Sequence, residues 1–111
     1  MNFAEEELAG GIVKVVLDGR LDIEGALTLD TKMAAIAENR NAVLMDLQRV
    51  SFIASMGLRS LVIPARNIKS RGGKVVIFGP NELVEKVLKT SGIDTVIPIH
   101  KEIQGALAAL K

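Results

Sequence analysis

Val43-Leu44-Met45-Asp46-Leu47-Gln48-Arg49-Val50-Ser51-Phe52-Ile53-Ala54-Ser55-Met56-Gly57-Leu58 takes the chain from one kind of structure into another. Val43 to Leu47 is almost wholly apolar, as a parallel strand covered on both faces must be. A polar loop follows, then a second apolar step at Phe52-Ile53. From Ser55 onward Leu58, Leu61, Val62 and Ala65 recur at helical spacing. A serine ahead of such a run signals an N-cap, because its hydroxyl accepts one of the helix's unpaired backbone N–H groups. The stretch therefore predicts a strand whose carboxyl end feeds a helix opened by Ser55. In open α/β sheets binding sites collect at that junction.

Upstream, Phe3 to Leu8 is a strand weakened by Glu5-Glu6-Glu7, and Gly10-Gly11 turns it into the stronger strand Ile12 to Leu17. That geometry makes the first strand an antiparallel edge, its glutamates discouraging aberrant pairing. Asp22 caps a helix running to about Asn39, with Leu29, Met33, Ile36 and Ala37 as its buried stripe. Downstream, the central helix continues to about Arg71. Pro64 inside it predicts a kink, and Lys69 on the stripe predicts a bend or a stem reaching outward. Gly72-Gly73 supplies a left-handed stop. Lys74 to Phe78 is the next strand, and Gly79-Pro80-Asn81 starts a helix with Leu83, Val84, Val87 and Leu88 inward. Val96 to Ile99 and a terminal helix striped by Ile103, Ala106, Leu107 and Leu110 complete the chain.

The order is β-β-α-β-α-β-α-β-α, an α/β single domain spanning residues 1–111. It predicts a mixed sheet of about five strands, mostly parallel with an antiparallel N-terminal edge, and about four helices. The loops after the second, third and fourth strands then share one end of the sheet. They bring Asp18, Arg20, Asp22, Asp46, Arg49, Ser51, Ser55 and Asn81 together.

At 49% hydrophobic against 24% charged, the 111 residues suit one compact core rather than disorder. A formal charge of +1 supplies no long-range field for nucleic acid or anionic lipid. The absence of cysteine excludes disulfides and thiolate metal sites. Three glutamates stand where a signal peptide carries lysine or arginine, and no apolar run reaches the length of a membrane span, so a cytoplasmic location is expected. Three phenylalanines are too few for a base-stacking platform.

Asp18, Asp22 and Asp46 at strand ends are hard oxygen ligands, and a receiver-like phosphoacceptor would use Asp46 with Mg2+. The plainer reading has Asp22 capping a helix and the other two ordering turns. Gly72-Gly73-Lys74 joins a helix to a strand, the reverse of a phosphate loop. His100, the lone histidine, has no nucleophile pattern beside it. Arg59, Arg66, Lys69, Arg71 and Lys74 read as a solvated surface rather than a nucleic-acid footprint. At about 100° per residue, Met56, Ser60, Ile63 and Asn67 fall opposite the buried stripe. Two large apolar side chains on an outward face suit a partner surface, or they are covered by neighbouring elements; both readings stay open.

Gly19-Arg20-Leu21-Asp22, Asp46-Leu47 with Val50 and Phe52-Ile53, Ser55-x-Gly57-Leu58 and Gly72-Gly73 together resemble the anti-sigma-factor antagonist family, the STAS domains. The resemblance implies a β/α fold and no enzymatic activity or cofactor. It also implies a partner-switching role: the antagonist binds an anti-sigma factor, often a serine-kinase-type ATPase, and frees the sigma factor for transcription. In that family the kinase phosphorylates a hydroxyl in Asp-Ser-(Ser/Thr)-Gly at the start of the central helix. Ala54 stands here in place of the aspartate, and Met56 in place of the usual acceptor. Ser55 matches the preceding serine, for which capping is favoured over phosphorylation. The implied contact surface comprises Asp22, Ser55, Met56, Gly57, Arg59, Ser60 and Ile63. STAS domains also serve as subunits of stressosome-like assemblies and lipid-transport systems, which gives the alternative role.

Overall fold

A computed structural model describes residues 1–111. Its elements follow the expected order: β1 (Asn2–Leu8), β2 (Ile12–Leu21), α1 (Ile23–Asn39), β3 (Ala42–Ile53), α2 (Ser55–Ser70), β4 (Lys74–Phe78), α3 (Glu82–Thr90), β5 (Ile99–His100) and α4 (Ile103–Ala109). The five strands form one sheet in the order β1-β2-β3-β4-β5. β1 runs antiparallel to β2, and the remaining neighbours are parallel. Gly10 and Gly11, with φ of +81° and +76°, make the tight turn between β1 and β2. No helix is long and apolar enough to cross a membrane.

The sheet separates two apolar clusters. On one face Val13, Val15, Leu17, Met45 and Leu47 meet α1, α2 and α3 through Leu29, Met33, Leu61, Ile68, Val84 and Leu88. On the other, Ile12, Leu44, Val76 and Phe78 are met by Ala106 and Leu110 at the C-terminal end of the chain. Side chains alternate between faces along each strand, so one apolar run serves both layers.

Three strands and two helix residues depart from expectation. β2 and β3 each continue past the apolar core, to Leu21 and Ile53, because Asp18 pairs with Arg49, Gly19 with Val50, Arg20 with Phe52 and Leu21 with Ile53. Two register shifts absorb the polar residues that otherwise signal a loop. β5 is only Ile99–His100, since Gly92 in the left-handed region opens a 3-10 turn at Ile93–Thr95 and buries Ile93 and Ile97 instead. Leu83, expected inward, is 63% exposed, while Val84 and Leu88 carry the buried face of α3. Ile103 likewise lies at the exposed edge of α4.

α2 is one unbroken helix with Pro64 inside it and buried. It buries an arc wider than a single stripe: Leu61, Ala65 and Ile68 enter the core, whereas Gly57, Ser60 and Pro64 are also buried. Leu58 and Val62 pack on the core only partly buried. Lys69 resolves its position by reaching outward, its Nζ donating to the Val96 carbonyl at 2.7 Å. Gly72, at φ +83°, ends the helix as expected.

Candidate functional site

The ends of β2 and β3 carry a charged and aromatic cluster beside the start of α2. The Arg49 guanidinium lies 3.7 Å from the Asp18 carboxylate, and Arg20 Nε lies 3.9 Å from that of Asp22. Arg20 also stacks over the Phe52 ring, 4.3 Å from its centroid, a cation–π contact between paired residues. Ser51 Oγ donates to the Gly19 carbonyl at 3.3 Å. Asn81 accepts from the Val84 N–H at 2.8 Å and donates through Nδ2 to the Val50 carbonyl at 3.1 Å, so one side chain caps α3 and ties it to β3. Asp22 accepts from the Gly25 N–H at 3.0 Å, the expected cap of α1. That backbone bond, chiefly, with Arg20 assisting, holds its carboxyl below the usual aspartate range.

Asp46 is not part of this cluster. It sits within β3, paired across to Val16 and Phe78, on the face that looks toward α4. Only 4% exposed, its carboxylate is engaged by Lys14 Nζ at 3.6 Å and by the Gln48 N–H at 2.9 Å. The trio of Asp18, Asp22 and Asp46 therefore does not converge, and no three acidic or histidine side chains are grouped to hold a metal ion. The strand extension explains the difference: the apparent strand end at Leu47 is mid-strand. His100 is half-buried beside Gly105.

At the start of α2 the cap position belongs to Ala54, which is extended and offers no side-chain bond. Ala54 N–H donates to the Leu21 carbonyl at 3.0 Å, which pins the turn instead. Ser55 is thus the first helical residue, exposed, and not the N-cap expected from its hydroxyl. Gly57 is buried because α2 touches β2 there; a Cβ would stand 2.6 Å from both Leu21 Cγ and the Leu21 carbonyl oxygen. Ser60, expected on the outward face, is 2% exposed and donates to the Ala26 carbonyl of α1 at 3.3 Å and the Met56 carbonyl at 3.1 Å. The helix has two neighbours, sheet and α1, and a projection built on one stripe accounts for only the first.

Met56 and Ile63 do face solvent, at 42% and 58% exposure, with Arg59 between them. Further apolar side chains are exposed on the adjoining elements: Ile23 and Leu27 on α1, Phe52 at the end of β3, and Leu83 on α3. Ile23 and Leu27 stand four apart and off the buried stripe of α1, the one sequence signal that marks them. Exposed apolar side chains next to charged ones suit protein contact, and nothing in the cluster assembles a nucleophile with a base.

The sequence profile described as "STAS domain" matches residues 4–106, nearly the whole chain. The chain is a STAS domain. Among its relatives, BtrV of Bordetella bronchiseptica is 28% identical over 102 residues, covering 91% of this chain and 88% of that protein. The anti-sigma F factor antagonist of Paenibacillus polymyxa is 26% identical over 109 residues, covering 96% and 93%. Among solved structures, the crystal structure of an anti-sigma factor antagonist from Mycobacterium paratuberculosis superposes with a TM-score of 0.82 at 26% identity, covering 98% of this chain and 92% of that one. The STAS fold thus carries relatives named as antagonists, and in this domain the start of α2 reads Ala54-Ser55-Met56-Gly57.

Proposed function

We propose that this STAS domain is an anti-sigma-factor antagonist: it binds an anti-sigma factor of the serine-kinase ATPase type in the cytoplasm, frees the sigma factor, and performs no catalysis itself. Its docking face centres on the start of α2, with Asp22, Met56, Arg59 and Ile63 presenting side chains, and Gly57 and Ser60 seating the helix behind them. The observation that carries this reading is the exposed Met56 in the first turn of α2, which lines one shallow hollow with Arg59 and Ile63. Methionine cannot accept phosphate, and a phosphate adds about −1.5 to −2 charges wherever it is attached. The docking face is accordingly constitutive, with no charge switch at Met56. The relatives' names support the partner class.

The test mixes the purified chain with its cognate anti-sigma factor and ATP. Stable complex formation without phosphorylation of the chain is expected, and Met56→Asp, which puts a charge into an apolar contact, weakens binding at least tenfold. Unchanged affinity removes Met56 from the interface. Phosphate mapped to Ser55, with release of the partner, overturns the constitutive reading.

A further inference from the structure

Between α1 and α2 runs an open cleft of about 300 Å³, lined by Asp30, Met33, Ala37, Glu38, Ile63 and Pro64, among others. The room exists because α1 contributes alanines there, whose side chains stop at Cβ, while Ile63 forms a wall that stands largely in solvent. Asp30 and Glu38 rim the cleft, neither is in an ion pair, and no lysine or arginine lines it. On a chain of net charge +1 this is a local acidic, apolar trough. Its upper end adjoins a smaller hollow bounded by Asp30, Met56, Arg59, Ser60 and Ile63, so it continues from the docking face.

We propose that this cleft seats a cationic amphipathic helix of the partner protein. A third helix laid on two others packs at about 8–10 Å from each axis, and a floor of alanine, methionine and proline admits that approach. Asp30 and Glu38 are eight residues apart, about 12 Å along α1. A helix lying along α1 meets both carboxylates with two lysines or arginines two turns apart, and its apolar residues between them cover Ile63 and fill the floor. A thin polyamine could span the same two carboxylates but has no breadth to cover Ile63. The partner's identity rests on the antagonist reading; the shape and charge of the cleft do not.

The first arm titrates the 15N-labelled chain with a synthetic capped helix of about fourteen residues, two lysines two turns apart with leucines between them. The amides of Asp30, Ala34, Glu38, Ile63 and Asn67 should shift, a glutamate-for-lysine twin should leave them still, and Asp30→Asn with Glu38→Gln should weaken binding about fivefold. Equal shifts from the glutamate twin, equal shifts from spermidine, shifts elsewhere only, or the same amides moving on dilution of the chain alone would each overturn the proposal. The second arm measures anti-sigma-factor affinity for Asp30→Lys/Glu38→Lys beside Met56→Asp. Weakening of about tenfold or more by both supports the cleft. If Met56→Asp weakens binding and the double reversal does not, the cleft proposal fails and the docking reading stands. If neither does, the docking reading fails and the cleft loses its partner.

Discussion

Gly57 shows how one missing side chain fixes the angle at which α2 leaves the sheet. Its place against Leu21 leaves no room for a methyl group, since a Cβ would meet both Leu21 side chain and backbone at 2.6 Å. Gly57→Ala is expected to lower stability by about 1–3 kcal/mol, read from the urea midpoint, because Leu21 is fully buried and cannot yield freely. Asp22 acts by charge instead. The Gly25 N–H, foremost, lowers its pKa in the folded chain. The unfolded chain therefore takes up that proton at higher pH than the folded one. The contribution is complete above the unfolded value of about 3.9 and fades as pH falls through the folded value. Asp22→Asn, which keeps a capping oxygen but not the titration, should flatten the loss of stability between about pH 5 and pH 2. Glu7, held low by its hydrogen bonds to Arg40, contributes with the same sign and stays in both proteins.

At the scale of elements, α2 illustrates why helical periodicity under-describes a helix with two neighbours. Leu61, Ala65 and Ile68 are apolar and follow the expected spacing, but Ser60 is buried by α1, through a hydrogen bond that no spacing rule announces. α3 is positioned differently, by a single polar side chain. Asn81 both caps α3 and bonds the Val50 carbonyl. Asn81→Ala should cost about 1–2 kcal/mol by thermal or urea unfolding, and Asn81→Asp should recover the cap but not the donated bond, falling between the two. Equal losses from both substitutions would show that the cap contributes nothing.

For the whole molecule, the sheet divides labour between its faces. The face toward α1, α2 and α3 holds the larger cluster and supports the docking elements, while α4 alone closes the face bearing Leu44, Val76 and Phe78. Leu110→Asp forces a charge into that smaller cluster, where Leu110 is buried. A loss of about 3 kcal/mol or more in stability is expected. Anti-sigma-factor affinity, measured well below the melting temperature, should stay within about twofold, because α1 and α2 lie across the sheet. A large loss of affinity in the folded variant would place part of the docking face at α4.

The order of elements, the antiparallel edge, the Asp22 cap, the start of a helix at Gly79-Pro80-Asn81 and the left-handed stop at Gly72 were determined by the sequence alone, because each rests on local periodicity or on a residue with one conformational use. Periodicity set Met56 and Ile63 opposite the buried stripe but left open whether neighbouring elements cover them, and packing decided that they are exposed while Ser60 is not. Tertiary structure alone decided how far β2 and β3 run, since their outer residues are polar and only mutual pairing makes them strands. It also decided that Asp46 turns away from the other carboxylates, that Ala54 rather than Ser55 occupies the cap, and that Ser60 is covered. All of these depend on which surface an element meets, and that is a property of packed pairs rather than of any single stretch of chain.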